Sequence, residues 1–331
     1  MTMLPTAMVL LASLAFSPTV VSTQGNGLAP TAAELPADEP LFASPTRLDR
    51  IGRIVAPVTI NGQGPFRLIV DTGATHSTIS PALVGALGVI PETDSAAMLN
   101  GVTGAAIVPM VVLDRLEVGE LKLKNARVAV LRPSVNAGAD GILGMAALRH
   151  ERLHVDFRLD RISISRSRRA LQMEGFHKIP ARLLPGGLMV VDARVGGVRA
   201  VAVLDTGAER TLGNAALRDA LRARRRQAKT VTLTPVLGAT ADIALGESEV
   251  SPPMRLGGVT VTSTQIIYGD FHIFDVWDLQ SRPAVLVGMD VLGIVDALIV
   301  DFRSQDFYIR VRNTAAPAAR SPIQARHPDM F

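Results

Sequence analysis

The sequence predicts an all-β fold built from two homologous lobes with short helices. Three observations predict it. Short runs rich in Val, Ile, Leu and Thr alternate with turn residues along most of the chain. A set of landmarks recurs in the same order in each half. Two copies of one tetrapeptide, Asp71-Thr72-Gly73-Ala74 and Asp205-Thr206-Gly207-Ala208, each follow an apolar strand, Leu68-Ile69-Val70 and Val201-Ala202-Val203-Leu204.

The elements follow in order. Val58-Thr59-Ile60-Asn61-Gly62 and Ala193-Arg194-Val195-Gly196-Gly197 read as a strand and turn leading into each tetrapeptide. After it come the pairs Thr78-Ile79 and Thr211-Leu212. Ser80 with Pro81 behind it, and Asn214, are helix N-cap signals. Leu116–Leu123 around Gly119 and Met254–Val261 around Gly257-Gly258 alternate as hairpins do. Each half then reaches an apolar strand ending in glycine, Gly141-Ile142-Leu143-Gly144 and Val285-Leu286-Val287-Gly288, followed by a short helix. Val155-Asp156-Phe157 and Val300-Asp301-Phe302 close the halves. The offset between copies is 134 at the aspartates and 144 at Gly144 and Gly288, so about ten extra residues fall in the second copy. Residues 242–253 and 271–283 are the expected places for them.

Composition narrows the function. The chain of 331 residues is 48% hydrophobic, enough for two cores, and only 4% aromatic. It has no Cys, which excludes disulfides, thiol catalysis and cysteine-ligated zinc. The formal charge is +4, but residues 218–229 alone contribute +5, leaving about −1 elsewhere. That window reads as the solvated face and end of a helix. It lacks interleaved aromatics, so no nucleic-acid partner is expected.

The paired aspartates carry the chemistry. Two carboxylates a hydrogen bond apart cannot both ionise cheaply, so the pair holds one proton. The ionised member takes a proton from a water between them, and the protonated member polarises a carbonyl. Neither metal nor cofactor is needed.

Together the two Asp-Thr-Gly-Ala motifs and the two apolar-apolar-Gly motifs resemble the aspartic peptidase superfamily. The closer likeness is to retropepsin-like domains carried in tandem by bacterial proteins, and it covers roughly residues 47–313. The resemblance implies two closed β-barrel lobes, an aspartic endopeptidase activity, and Asp71 and Asp205 as the catalytic dyad. It implies that Thr72 and Thr206 cross-link the dyad loops. It also implies that Gly73, Ala74, Gly207 and Ala208 shape those loops, and that Gly144 and Gly288 pack beneath them. Pepsin-like enzymes have Ser or Thr where this chain has Ala74 and Ala208. The lost hydroxyls predict raised dyad pKa values and a weakly acidic optimum. The candidate flap is Gly101, Val102, Thr103 and Gly104, with no aromatic residue; residues 236–240 are a weaker counterpart. Glu209 is expected to hold substrate backbone or pair with Arg210, and Trp277 to pack.

Two other readings stand beside this one: a non-catalytic peptide-binding module on the same fold, and a zinc peptidase. His150-Glu151-Arg152-Leu153-His154 matches H-E-x-x-H, with Glu174 downstream as a third ligand. That site needs both histidines on one helical face. The repeat instead aligns His154 with Ile299 at the start of a strand, which favours no metal. His76 is expected to play a surface or packing role.

The expected organisation is a signal peptide at 1–22, a linker at 23–46, lobes at 47–172 and 173–314, and a tail at 315–331. Residues 7–16 are apolar but too short to span a bilayer, and no Lys or Arg precedes them. Export to the periplasm or outside the cell is the expectation, with the cytoplasm as the alternative. The apolar run 284–300 contains Asp290 and Asp296, so it reads as buried helix and strand rather than a span. The partner is a peptide or protein substrate, met by a monomer with an intramolecular dyad. The alternative pairs each lobe with its counterpart in a second chain.

Overall fold

A computed structural model describes residues 19–22, 42–45, 47–48 and 53–311, apart from 93–94, 120, 133–137, 149, 160, 168–172, 185–186 and 226–229. Most of the expected signal peptide, most of the expected linker and all of the expected tail lie outside these residues. Thr19–Ser22, within the expected signal peptide, pairs with Val259–Thr262. Phe42–Pro45, within the expected linker, pairs with Arg161–Arg166.

The described residues are mostly β, with 52% of them in strands and a few short helices. In the first lobe six strands close a barrel. Their order is Ile54–Ile60, Gln63–Val70, Gly141–Leu143, Thr78–Ile79, Leu121–Val130 and Ala105–Val118, and the last pairs back to the first. The second lobe repeats this connectivity through Met189–Val195, Val198–Leu204, Ala284–Val287, Leu212–Gly213 and Gln265–Tyr268. The strand that is continuous over Ala105–Val118 in the first lobe is divided in the second into Ile243–Val250 and Met254–Leu256. Pro252 and Pro253 sit at the division, where missing N–H groups interrupt the ladder.

Local chemistry explains the elements. Asn61 and Gly62 take φ of +50° and +79°, and Gly196 and Gly197 +53° and +83°, the two-residue turns that match strand twist. The Ser80 hydroxyl accepts the Leu83 N–H at 3.1 Å and starts helix Pro81–Leu87. Asn214 Oδ1 accepts the Leu217 N–H at 2.9 Å and starts helix Ala215–Arg222. Strand Val198–Leu204 is buried on both sides. Ala200, Ala202 and Leu204 face the main core, while Val201 and Val203 face a second cluster with Phe271, Phe274 and Leu279. The run 284–300 forms a strand, a short helix and a strand, as expected.

The closing strands of the halves pair with each other. Glu151–Asp156 runs antiparallel to Ala297–Asp301, with His154 opposite Ile299, at the centre of a six-stranded sheet. Its other members are Phe42–Pro45, Arg161–Arg166, Asp306–Arg310 and His177–Leu183. The Val-Asp-Phe landmark therefore joins the lobes. Asp301 is buried and accepts Arg152 Nε and Nη2 at 3.0 and 2.9 Å, and the Ser167 hydroxyl at 2.7 Å. Asp156 accepts Arg310 Nη2 at 2.9 Å. Each aspartate also accepts two N–H groups of its own following turn, Arg158 and Leu159 for Asp156, Arg303 and Ser304 for Asp301. One apolar cluster runs from Ile54 and Leu113 through Leu153, Leu298 and Val300 to Val285 and Leu217, so the lobes share a core.

The surplus residues of the second copy divide in two. The hairpin turn offset is 138, from Gly119 to Gly257, so four precede it and six follow. The six fall between Gln265–Tyr268 and Ala284–Val287 and carry helix His272–Val276.

Candidate active site

Each dyad loop leaves a central strand. The Asp71 N–H donates to Leu143 O at 3.1 Å and the Asp205 N–H to Val287 O at 2.9 Å, so each aspartate is fixed to the glycine-ended strand beside it. Those strands lie parallel to the strand before each aspartate, Ile142 opposite Ile69 and Leu286 opposite Val203.

The two loops meet about an approximate two-fold axis. Thr72 Oγ1 donates to Leu204 O at 2.6 Å and accepts the Thr206 N–H at 3.0 Å. Thr206 Oγ1 donates to Val70 O at 2.7 Å and accepts the Thr72 N–H at 3.1 Å. Both threonines are buried. Asp71 Oδ1 accepts the N–H groups of Gly73 and Ala74 at 2.8 and 2.9 Å. Asp205 Oδ1 accepts those of Gly207 and Ala208 at 2.8 and 3.1 Å. Each loop glycine faces the opposite aspartate: a Cβ on Gly73 would lie 2.4 Å from Asp205 Oδ2, and one on Gly207 2.2 Å from Asp71 Cγ. A larger residue at either position would have to displace the opposite aspartate's carboxyl.

Burial pushes both carboxyls above the ordinary aspartate range. For Asp205 the neighbouring Asp71 charge adds to burial and drives it well above. For Asp71 the hydrogen bond with Asp205 and the N–H groups of Gly73 and Ala74 offset part of the burial. The pair thus holds one proton between its members at a pH where an exposed aspartate has lost it.

Gly144 and Gly288 support the loops from below. A Cβ on either would lie 2.6 or 2.7 Å from the backbone of His76 or Arg210. The Gly144 N–H donates to Ser77 Oγ at 3.0 Å, and the Gly288 N–H to Thr211 Oγ1 at 3.1 Å. This corrects the pairing of Thr78-Ile79 with Thr211-Leu212: Ser77 is the counterpart of Thr211, at the same offset of 134 as the aspartates. Holding that offset constant would have found Ser77. Thr211 also donates its N–H and hydroxyl to Asp290, at 3.1 and 2.7 Å, a bond with no counterpart at Ala146.

Both hairpins reach the same place. Strands Ala96–Asn100 and Ala105–Val118 form the first, and Thr232–Leu237 and Ile243–Val250 the second. Their tips touch: Thr103 Oγ1 donates to Asp242 O at 2.8 Å, and Gly101 faces Thr240. Helix His272–Val276 meets the first tip too, through His272 Nε2 and Asn100 Oδ1 at 3.1 Å and the Ile273 N–H donating to Val102 O at 3.3 Å. The second tip, the weaker candidate in the sequence, stands as a full counterpart of the first. Asp242 and the helix contact carry no motif that a single sequence displays.

The zinc reading fails on geometry. Glu151–Asp156 is a strand, and His150 sits in the exposed turn before it, so the two histidines do not share a helical face. His154 packs edge-on against Phe176 at 6.3 Å, and burial pulls its imidazole down to about 4. Arg152 of the same motif is spent on Asp301. Among the described residues no three His, Asp or Glu side chains cluster as metal ligands.

The sequence pattern of the aspartyl protease family matches residues 56–147 and 191–291, more than half of the chain and one stretch per lobe. The chain belongs to the aspartyl protease family. Both matched stretches contain a dyad loop, its supporting glycine and a hairpin, so the family likeness and the two-fold geometry coincide. No curated protein matches the chain. Of the other residues named from sequence, Glu209 and Arg210 are exposed, as are His76 and Glu174. Trp277 is half-buried and packs at 6.1 Å edge-on to Phe274, consistent with the expected packing role.

Proposed function

We propose that the chain is an aspartic endopeptidase in which Asp71 and Asp205, one from each lobe, share a single catalytic water. The observation that carries this reading is the reciprocal Thr72–Thr206 network, which holds the half-buried Asp71 carboxyl and the buried Asp205 carboxyl face to face. Two such groups are expensive to maintain unless their shared proton is used. Ionised Asp71 takes a proton from the water. Asp205 donates its proton to the scissile carbonyl oxygen as the water attacks the carbon. The tetrahedral gem-diol collapses as Asp71 gives its newly gained proton to the leaving nitrogen and Asp205 takes a proton from a gem-diol hydroxyl, which leaves a carboxyl product and returns the pair to one shared proton. The substrate is an extended peptide lying between dyad and hairpin tips, its backbone hydrogen-bonded as an added strand. Tip separation admits it and closure excludes bulk water.

The reading includes a monomer as the working unit, since one chain supplies both aspartates, with lobes at 47–172 and 173–314. Among the described residues no helix is long and apolar enough to cross a membrane. Export stays part of the proposal on the strength of the apolar N-terminal run. Cleavage of a peptide library between pH 3 and 8, with Asp71→Asn and Asp205→Asn alongside, tests the activity. Loss in both variants, indifferent to chelator, supports the dyad. Peptide binding without cleavage in the wild type would favour the binding-module reading.

A further inference from the structure

A surface cavity of about 540 Å³ lies on the outer face of the second lobe, away from the dyad cleft. Four arginines line it, Arg194, Arg199, Arg255 and Arg282, together with Asp192 and Val201. Three of them form a row. Arg194 on Met189–Val195 stands directly opposite Arg199 on Val198–Leu204 and directly opposite Arg255 on Met254–Leu256. Like charges directly opposite on neighbouring strands destabilise a sheet. The three arginines are exposed, so solvent screens part of that cost. Among the described residues none of the four makes an ion pair or side-chain hydrogen bond, and Asp192 is taken by Arg182 at 2.8 Å. Several arginines elsewhere are matched: Arg152 and Arg310 hold Asp301 and Asp156, and Arg218, Arg222 and Arg225 hold Glu247 and Glu249.

We infer that this cavity binds an anion carrying two or more linked phosphate groups. The guanidinium fork matches phosphate oxygens two at a time. Neighbouring strands are about 4.8 Å apart, so the three-arginine row spans about 10 Å. A single phosphate engages part of that row; a di- or triphosphate spans it, with Arg282 closing the side. Val201 offers an apolar floor between the charges. The cavity is of ordinary small-ligand size. Arg199 lies six residues before Asp205 on one strand, about 20 Å away, so a bound anion leaves the dyad free. The inference is independent of the proteolytic reading.

Calorimetric titration of the full chain with tripolyphosphate, at about 0.15 M salt, tests it. The wild type is expected to bind. The double variant Arg194→Gln/Arg255→Gln is expected to bind about tenfold more weakly or not at all. The control Arg222→Gln/Arg224→Gln, on the other basic surface, is expected to match the wild type. Thermal unfolding in low salt checks folding: removing the repulsion leaves the double variant at least as stable, and tripolyphosphate raises the wild-type Tm but not the variant's. Phosphatidylcholine vesicles with and without a bisphosphorylated inositol lipid distinguish a headgroup from a free anion. No binding to either source, or equal weakening in both variants, would overturn the inference.

Discussion

Asp71 and Asp205 are chemically identical, and their surroundings make them different. Burial raises both, and the charge on Asp71 raises Asp205 further. The sign for stability follows. A carboxyl whose folded pKa lies above its unfolded value binds more protons when folded, so its contribution is most favourable at low pH and is lost as pH rises through the gap. Asp205→Asn is therefore expected to raise Tm at neutral pH while lowering kcat by about 10²–10⁴ or more; calorimetry beside a cleavage assay reads both. Ala74 and Ala208 tune the same pair. Each gives its N–H to a carboxylate but has no hydroxyl to add. Ala208→Ser adds a donor that favours the ionised form, so the acid limb of the rate profile is expected to move to lower pH. A pH–rate series on both proteins checks the direction. Most of this scale is legible in the sequence, because the Asp-Thr-Gly tripeptide writes the whole loop in adjacent residues.

Elements hold the loops in place, and here the sequence is legible only where a landmark is local. The helix caps Ser80 and Asn214 and the turns at Asn61-Gly62 and Gly196-Gly197 are readable, because their partners lie within a few residues. Gly144 and Gly288 are readable as landmarks, yet their partners Ser77 and Thr211 lie 67 and 77 residues away, and the pairing of the neighbouring residues slipped by one. A Cβ at Gly144 meets backbone, which cannot swing aside. Gly144→Ala is thus expected to cost about 1–3 kcal/mol and to lower kcat by shifting the Asp71 loop; denaturant unfolding measures the first. Ser77→Ala leaves the Gly144 N–H without its partner, at about 1–3 kcal/mol. The hairpin tips are a case of the opposite kind. The first carries glycines that draw attention, while the second is marked mainly by Asp242, whose carbonyl accepts from Thr103 across the two lobes.

At the scale of the molecule, the two halves are joined by the dyad loops, the hairpin tips, the shared sheet and a common apolar core. The Val-Asp-Phe repeats look in sequence like two copies of an ending. In space they are a reciprocal clamp, each aspartate taking an arginine from the other half's side of the sheet. Arg152 and Asp301 are 149 residues apart, and no local pattern reveals such a pair. Burial alone would raise the Asp301 carboxyl. The Ser304 N–H, the Ser167 hydroxyl and the Arg152 guanidinium outweigh it and hold the group below the ordinary range. Its stabilising contribution is thus present above the unfolded pKa and lost as pH falls through the folded one. Asp301→Asn strands a buried guanidinium and is expected to cost about 3–5 kcal/mol, with a smaller loss of stability on acidification than in the wild type. Unfolding curves across pH check both. In the proposed reading, the clamp also fixes the orientation in which one chain closes its own dyad. The most direct test is peptide cleavage by wild type, Asp71→Asn, Asp205→Asn, and an equimolar mixture of the two variants. Activity in the wild type alone is the predicted result; activity in either single variant, or its recovery in the mixture, would contradict a dyad formed within one chain.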